Sequence, residues 1–454
     1  MQQNQQTLSE PRSEAGADSA TPALEARNLF KVFGRKPDEV VRRLRGGADR
    51  DELAGLGTAA VIDASFSVRR GEIFVVMGLS GSGKSTLIRM LNGLQEPTAG
   101  EVLIEGSTIT DVSEAELRRV RRSSISMVFQ HFALLPHRTV LDNVAYPLEI
   151  QGVPSAERRE RALLAVERAG LAGWHEKMPD ELSGGMRQRV GLARALAADT
   201  DIVLMDEAFS ALDPLIRREM QEQLVELQHE LGKTIVFITH DLNEAMFLGD
   251  RIAVMRDGRI VQIGTPEEIL TDPANDYVAQ FVQDVDRARV LTASAVMEPV
   301  RSVVTLAAGP RAALRSMRDL QTSAAFVVGS GRRLLGTVRD RDVIEQVRRN
   351  VSDLSAVLTS DVVTVSPDTA LSEVIEPAVE SALPVAVVDG DGRLLGAIPR
   401  VTLLAALGNI TSHTGEQPVV EPPATLSIDL VTATLHATGG AVDDAALATD
   451  GGRR

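Results

Sequence analysis

The chain of 454 residues contains no cysteine. Disulfides, thiolate metal sites and cysteine nucleophiles are therefore excluded, and this composition fits a reducing compartment. Aromatic residues make up only 3% of the sequence. The sequence also lacks an uncharged apolar run of about 18 residues, the length that a membrane-spanning helix needs. If the protein works at a membrane, another subunit has to span it.

The charge balance is acidic, with 48 Lys and Arg against 63 Asp and Glu, for a formal net charge of −15. A nucleic-acid partner has little electrostatic support from such a surface. The length suggests two or three domains, and an apolar fraction of 44% is enough for a substantial core. Residues 1–22 lack the apolar centre of a signal peptide, so we expect a disordered leader there.

The strongest motif is the glycine-rich stretch Gly78 to Thr86, which has the spacing Gly-x4-Gly-Lys-[Ser/Thr]. It follows the apolar run 73–77 and precedes the helix-like run 87–92, which predicts a strand, a loop and a helix. Glycines let backbone N–H groups turn around phosphate oxygens, and the helix N-terminus adds a partial positive charge. Lys84 can then reach the β- and γ-phosphates, and Ser85 can bind Mg²⁺. The alternative is a glycine-rich turn with no ligand.

A second pair of motifs follows at Leu182 to Arg189 and Asp201 to Glu207. Ser183 can cap a helix running through Ala198, with two glycines close to the helix axis as in a phosphate site. The next segment predicts a buried strand whose C-terminal end delivers Asp206 and Glu207, at the edge where α/β sheets bind ligands. Asp206 suits a Mg²⁺ contact, and Glu207 suits a base that orients water. A capped helix and an acidic helix N-cap are the alternatives.

Three further side chains stand at informative positions. Phe33 ends a strand-like run from Ala23 and can stack on a base or pack in the core. Gln130 ends the strand predicted from Ile125. His240 ends the apolar strand from Thr234 and can contact the γ-phosphate, or else is an ordinary surface or core histidine.

Taken in order from Ala23 to Val285, these motifs resemble the ATPase domain of ABC transporters. The resemblance covers an aromatic loop, Walker A, Q-loop, signature, Walker B, catalytic glutamate, D-loop from Ser210 to Asp213, and switch histidine. It implies a head-to-tail homodimer in which two ATP molecules lie between the Walker A of one copy and the signature of the other.

The same resemblance implies roles for individual residues. Glu207 would polarise water, His240 would hold the γ-phosphate, and Gln130 would sense Mg²⁺ and the permease. The implied metal ligands are Ser85, Gln130 and Asp206. The implied nucleotide-binding residues are Phe33, Gly78, Ser80, Gly81, Gly83, Lys84, Ser85, Thr86, Ser183, Gly184, Gly185 and Asp213.

The opening 28–34, the insertion 35–56 and the segment 206–216 look like those of glycine betaine/proline-type osmoprotectant importers. The C-terminal third contains an internal repeat, because the pattern ending at Gly336 returns at Gly396, 60 residues later. Each copy predicts strand, turn, strand and helix, and the pair resembles tandem CBS domains.

Both copies depart from the pattern of nucleotide-binding CBS domains. The first copy has Arg339 where a hydroxyl is usual and keeps the acid Asp342; the second has Pro399 and Thr402 and loses both groups. Ordinary adenosine sensing is therefore not expected. A dimerising module, responsive to ionic strength or to another nucleotide, is the preferred interpretation.

The predicted fold class is α/β, namely a P-loop ATPase domain with a RecA-like core, an antiparallel β-subdomain and an α-helical subdomain, followed by the tandem α+β CBS pair. The predicted boundaries are 1–22 for the leader, 23–285 for the ATPase, 286–350 and 351–410 for the repeats, and 411–454 for a flexible tail.

The predicted function is ATP- and Mg²⁺-dependent import of a quaternary-amine osmolyte, glycine betaine or proline. The subunit would lie peripherally at the cytoplasmic face of the membrane, bound to permease subunits and working indirectly with a substrate-binding protein. One alternative is an importer of choline, carnitine or another amine. The other is a soluble ABC protein acting on ribosomes or in DNA repair, although such proteins usually carry two cassettes or a coiled-coil insertion.

Overall fold

In a computed structural model, the strands and helices of the N-terminal part follow the predicted motifs closely. The structure describes residues 21–408 except 131, 284 and 382, so almost all of the predicted leader and the whole predicted tail lie outside the described residues. The first elements are β1 (Leu24–Gly34), α1 (Pro37–Arg45), β2 (Gly57–Val68), β3 (Ile73–Met77), α2 (Lys84–Leu91), β4 (Ala99–Ile104), β5 (Ser107–Thr108), α3 (Glu114–Ser123) and β6 (Ile125–Val128).

The middle of the chain is mostly helical and ends in a strand pair followed by two short helices. Its elements are α4 (Val140–Gln151), α5 (Ser155–Arg168), α6 (Gly184–Ala197), β7 (Ile202–Asp206), α7 (Pro214–Leu231), β8 (Thr234–Thr239), α8 (Leu242–Leu248), β9 (Arg251–Arg256), β10 (Arg259–Gly264), α9 (Pro266–Thr271) and α10 (Asp276–Phe281).

Three substructures make up this region, as predicted. The six-stranded sheet has the order β10-β9-β3-β8-β7-β6, and its strands β9, β3, β8, β7 and β6 run parallel. A separate antiparallel sheet has the order β2-β1-β4-β5. Helices α4, α5 and α6 share a third apolar core. The insertion at 35–56 forms α1 and packs Val40, Val41 and Leu44 against Phe30 of β1.

Two similar units follow. The elements are α11 (Arg287–Val290), α12 (Ala293–Val296), β11 (Val303–Thr305), α13 (Gly309–Asp319), β12 (Ala324–Val328), β13 (Leu334–Arg339), α14 (Asp340–Arg348), β14 (Thr364–Val365), α15 (Leu371–Glu380), β15 (Val385–Val388), β16 (Leu394–Ile398) and α16 (Arg400–Leu407). We call β11 to α14 repeat 1 and β14 to α16 repeat 2. Each has a three-stranded sheet with one parallel and one antiparallel pair, which confirms the internal repeat.

The segment between the ATPase elements and β11 joins repeat 2 rather than repeat 1. Leu371 N donates to Leu291 O at 2.9 Å, and Glu298 exchanges backbone hydrogen bonds with Ala397 at 2.9 and 3.0 Å. One apolar cluster then runs without a break from the six-stranded sheet into repeat 2. Its members in repeat 2 are Leu371, Val374, Ala378, Val385, Val387, Ile398 and Leu403.

Candidate nucleotide site

The glycine-rich loop begins where the buried central strand β3 ends. Gly83 is the N-cap of α2 with φ 102°, and a Cβ there would lie 2.1 Å from Ala60 O. A Cβ on Gly78 would lie 2.2 Å from Met255 O. Gly81 also has a positive φ, of 80°, but its Cβ would meet open space. Two glycines are thus required by close backbone approach, and Gly81 borders open space, which fits a phosphate cradle.

Lys84, the first residue of α2, is 4% exposed. Its Nζ donates to Gly78 O at 2.8 Å and to Leu79 O at 3.1 Å, so the ammonium lies inside the loop. Burial lowers the pKa of Lys84, and the charges of Glu207 and Asp206 oppose that shift. A buried cation with donors to spare suits the phosphate oxygens of a nucleotide.

Asp206 is the last residue of β7 and is 7% exposed. Ser85 Oγ donates to Asp206 Oδ1 at 3.3 Å. Burial raises the pKa of the Asp206 carboxyl, and the hydrogen bond from Ser85 works in the opposite direction. A desolvated carboxylate beside a hydroxyl is an oxygen donor set that suits Mg²⁺. Within residues 21–408, no group of at least three His, Cys, Asp or Glu is placed to hold a metal; Mg²⁺ in nucleotide sites takes only one or two carboxylates.

Glu207 collects the other predicted catalytic side chains. Gln130 Nε2 donates to Glu207 Oε2 at 3.1 Å, and His240 Nδ1 lies 3.2 Å from the same oxygen. Glu207 itself has a positive φ of 46°, held by its N–H donating to Ile238 O at 2.9 Å. A non-glycine residue in this region is strained, which is common where function fixes a side chain. The structure therefore brings Glu207, Gln130 and His240 together, although their chain positions are far apart.

Other predicted site residues lie on elements outside the glycine-rich loop and the cluster around Glu207. Phe33 is 43% exposed on β1, with Lys31 Nζ 5.4 Å from its ring centroid. Ser183 caps α6 by accepting from Met186 N at 3.3 Å, and Gly184 and Gly185 open that helix. Asp213 caps α7 by accepting from Ile216 N at 3.1 Å. No hydrogen bond among the described residues joins the signature segment to the glycine-rich loop.

Ser80 and Thr86 complete the predicted set. Ser80 lies exposed in the loop, and Thr86 lies half-buried in the first turn of α2. Sequence reasoning placed Ser210 in the D-loop but did not predict that its Oγ lies 3.4 Å from Gln130 Nε2 and donates to Glu207 O at 2.9 Å. It also missed Arg217, Asp241 and Glu244 behind the site. In the sequence, these residues are marked only by following two predicted site segments, and that position does not reveal which side chains they bond.

The strand–loop–helix cradle, the buried lysine and the paired carboxylates define an ATP-binding cassette of the P-loop class. The family "ABC transporter" matches residues 61–210, and the family "CBS domain" matches residues 351–409. The glycine betaine transport ATP-binding protein of Bacillus subtilis is 50% identical over 85% of this chain and 92% of its own length. The glycine betaine/proline betaine ATP-binding protein of Salmonella typhimurium is 48% identical over 86% and 99%.

A trimethylamine N-oxide transport ATP-binding protein of Ruegeria pomeroyi is 49% identical over 66% of this chain and 91% of its own length. The chain belongs to the ATP-binding subunits of glycine betaine-type ABC transporters that carry a CBS domain. No helix in the described part of the chain combines the length and apolar character required to cross a bilayer.

Proposed function

We propose that this chain hydrolyses ATP to power import of glycine betaine or proline betaine through a partner permease. The observation that carries the hydrolysis step is the convergence of Gln130 and His240 on one oxygen of Glu207. The cargo rests on similarity to relatives over more than nine-tenths of their length. The trimethylamine N-oxide relative has nearly the same identity, so other small amines, including choline and carnitine, stay as alternatives.

Each side chain has a task that follows from its place. Lys84 places a positive charge among the loop carbonyls, where phosphate oxygens would be neutralised. Ser85 and Asp206 would hold Mg²⁺, with Gln130 completing the polar set, and the ion would supply charge neutralisation on the phosphates. Glu207 would orient the attacking water. The side chain of His240 lies beside Glu207 and is 55% exposed, and it would contact the γ-phosphate.

The signature segment supports a dimer of two such chains. Ser183 and the N-terminus of α6 direct backbone N–H groups outward from a helix of 14 residues. We infer that they complete the ATP site of a second copy, with Phe33 stacking on adenine and Asp213 near the shared interface. Each site would then need both chains, which couples hydrolysis to dimer closure.

A groove of about 570 Å³ beside Gln130 suits the permease. It lies between β6 and helices α4 and α6, and it joins apolar walls at Phe129 and Ile150 to the arginines Arg121 and Arg194. We propose that a permease segment binds there, which places the chain at the cytoplasmic face of the membrane. Ile150→Asp should abolish co-purification with the permease and leave ATP binding intact. Leu164→Asp, an equally exposed leucine on α5, is the matched control.

The test of hydrolysis is Glu207→Gln in the complex with its permease. ATP should still bind, while steady-state turnover falls by about 1,000-fold or more because the carboxylate that positions water is lost. Glu222→Gln on the surface of α7 is the control, since among the residues that the structure describes its carboxylate pairs with Arg218 alone. Normal turnover by the Glu207 variant would overturn the assignment.

The cargo is tested by uptake of labelled glycine betaine into vesicles across a range of internal salt, with Glu207→Gln as the blank. ATP-dependent uptake that rises with salt supports both the osmolyte and a sensing role for the repeats. Steady hydrolysis without betaine uptake keeps the ATPase and rejects the cargo, and the same vesicles then test choline, carnitine and trimethylamine N-oxide.

Asp206→Asn tests the metal assignment without measuring activity. The Mg²⁺-dependent part of the thermal shift on adding ATP should disappear. Because burial raises the pKa of Asp206, its ionised form carries a folding penalty at neutral pH. The nucleotide-free Asp206→Asn variant should therefore be no less stable than the unsubstituted chain at pH 7, and any advantage should shrink as the pH falls and Asp206 becomes protonated. An unchanged Mg²⁺-dependent shift would contradict the assignment.

A further inference from the structure

A polar crevice of about 770 Å³ lies directly behind the ATP site. One wall comes from α7 and α8 of the ATPase, and the opposite wall comes from α15 of repeat 2 and from α11 in the segment that joins repeat 2. Charged or polar residues on the ATPase wall include Arg217, Gln221, Asp241 and Glu244; those opposite are Asp286, Arg289, Ser372 and Glu373. The repeat therefore comes next to helices that start at the D-loop and the switch histidine.

Arg217 joins the two loops that carry those site residues. Its Nη1 donates to Asp241 Oδ2 at 3.1 Å, and Asp241 directly follows His240. Its Nη2 donates to Leu212 O at 3.1 Å and to Ser210 O at 3.4 Å, in the turn that follows Glu207 and precedes Asp213. One planar guanidinium thus fixes the spacing of both loops, which a point-charge ammonium cannot do.

A second link lies one helical turn further along α7. Gln221 Nε2 donates to Glu244 Oε1 at 3.0 Å, and the hydroxyl of Thr239 donates to the other oxygen of Glu244. Glu244 is only 4% exposed. Helix α7 is therefore tied to the end of β8 at two levels, and a shift of α7 must shift the loop that carries His240.

Repeat 2 is attached to this network by dense packing. Helix α11 contacts α8, α9, α15 and α16. The buried face of α15, with Leu371, Val374 and Ala378, lies in the apolar cluster that continues under the six-stranded sheet. Protein interiors packed at this density transmit displacement rather than absorb it. Exposed Ser372 and Glu373, on the same helix, then form the crevice wall that faces Arg217.

We propose that Arg217 is a positioning residue for ATP hydrolysis, and that repeat 2 acts on the ATP site across this crevice through Arg217. The proposal rests on the hydrolytic part of the proposed function and is independent of the cargo. It gives the CBS region a physical route to the ATPase within one chain, whatever signal that region receives.

The first test is Arg217→Ala in the full-length chain bound to its permease. Turnover should fall by about 10- to 100-fold, the scale expected when catalytic groups shift by about 1 Å. The KM for ATP and the thermal midpoint should change little, because the side chain lies behind the nucleotide site. Arg217→Lys should recover only part of the loss. Arg218→Ala is the control: Arg218 also lines the crevice, but within the described residues its side chain bonds Glu222 and neither loop.

The second test fills the crevice from the repeat side. Ser372→Trp should lower turnover by about 2- to 30-fold, the usual range for coupling through packed networks. Val379→Trp, on the exposed far end of the same helix, should have no effect. In the double variant Arg217→Ala/Ser372→Trp the losses should not multiply, because both changes act on the placement of the same two loops.

The outcomes separate the claims. Normal turnover in Arg217→Ala, or a loss explained by a raised KM or unfolding, overturns the positioning role. Normal turnover in Ser372→Trp, or a loss that multiplies with that of Arg217→Ala, overturns the route from repeat 2. A failure of betaine uptake with intact hydrolysis concerns the cargo alone, whereas loss of hydrolysis in the unsubstituted complex would remove the proposed function itself.

Discussion

The two CBS-like repeats share a sequence pattern and a sheet order, but they are anchored differently. Repeat 1 has an apolar core of its own, which includes Val327, Val338, Val343 and Leu354. Repeat 2 has its main core in common with the ATPase sheet. A smaller cluster around Phe326 and Ala386 connects the two repeats. Similarity between repeats therefore does not imply equivalent roles: repeat 2 is part of the ATPase core, and repeat 1 is attached through it.

The largest expected effect comes from removing matched leucines from the two cores. Leu371 of repeat 2 and Leu354, which follows α14 and packs in the core of repeat 1, are both fully buried. Each change to alanine should cost about 2–5 kcal/mol of local stability, through lost contacts and a cavity. Hydrogen exchange should show that Leu371→Ala also loosens α8 and α11, whereas Leu354→Ala loosens only repeat 1. Equal loosening of the ATPase by both variants would break the comparison.

A medium effect is expected at the matched glycines. A Cβ on Gly336 would lie 2.3 Å from the backbone oxygen of Thr359, at a φ of 155°. At Gly396 the nearest atoms are farther away, namely the flexible Met297 Sδ at 2.9 Å and the backbone oxygen of Glu298 at 3.0 Å. Gly336→Ala should therefore cost about 3 kcal/mol and Gly396→Ala about 1 kcal/mol in denaturant unfolding. The reverse order would show that the segment before β11 is held against repeat 2 more tightly than its contacts indicate.

The smallest expected effect is the difference in stability between substitutions at Thr402 and Asp342, the two positions where nucleotide-binding CBS domains usually have a ribose-binding acid. Thr402 donates the hydrogen of its hydroxyl to Glu298 and so fixes the segment before β11 to α16. In the described part of the chain, the one ion pair of Asp342 is with its neighbour Arg341, at 3.4 Å. Thr402→Val should cost about 1 kcal/mol and speed exchange in residues 291–298. Asp342→Asn should change stability by less than about 0.5 kcal/mol. A larger cost at Asp342 would indicate a contact that the sequence position alone does not explain.

Much of the ATP site was predictable because its signals are local. The spacing from Gly78 to Ser85 specifies a phosphate loop, and an apolar run that ends in Asp206 and Glu207 specifies a buried strand with carboxylates at its end. Parallel strands bring such ends to one edge. The meeting of Gln130 and His240 at Glu207 follows the same logic, while their chemical roles stay predictions.

The remaining features depend on contacts between distant parts of the chain. Nothing in residues 291–298 indicates that they pair with repeat 2 across the whole of repeat 1, because hydrogen bonds such as that of Glu298 with Ala397 leave no local pattern. The sequence also gives no sign that Arg217 bonds two loops, since an arginine in a helix after a turn is usually solvated. For the same reason, the boundary predicted between residues 285 and 286 does not reveal that residues 291–298 pair with repeat 2.

The shared core also has a consequence for biosynthesis. The apolar cluster of the ATPase sheet includes Leu371, Val374 and Leu403, which leave the ribosome only after all of the ATPase elements. Until then, the ATPase portion of the nascent chain has all of its nucleotide motifs but exposes surface that the finished protein buries. A chain that ends within repeat 1 would keep that surface exposed and become a target for chaperones and proteases. The apolar core of the ATPase is therefore complete only once repeat 2 has been made.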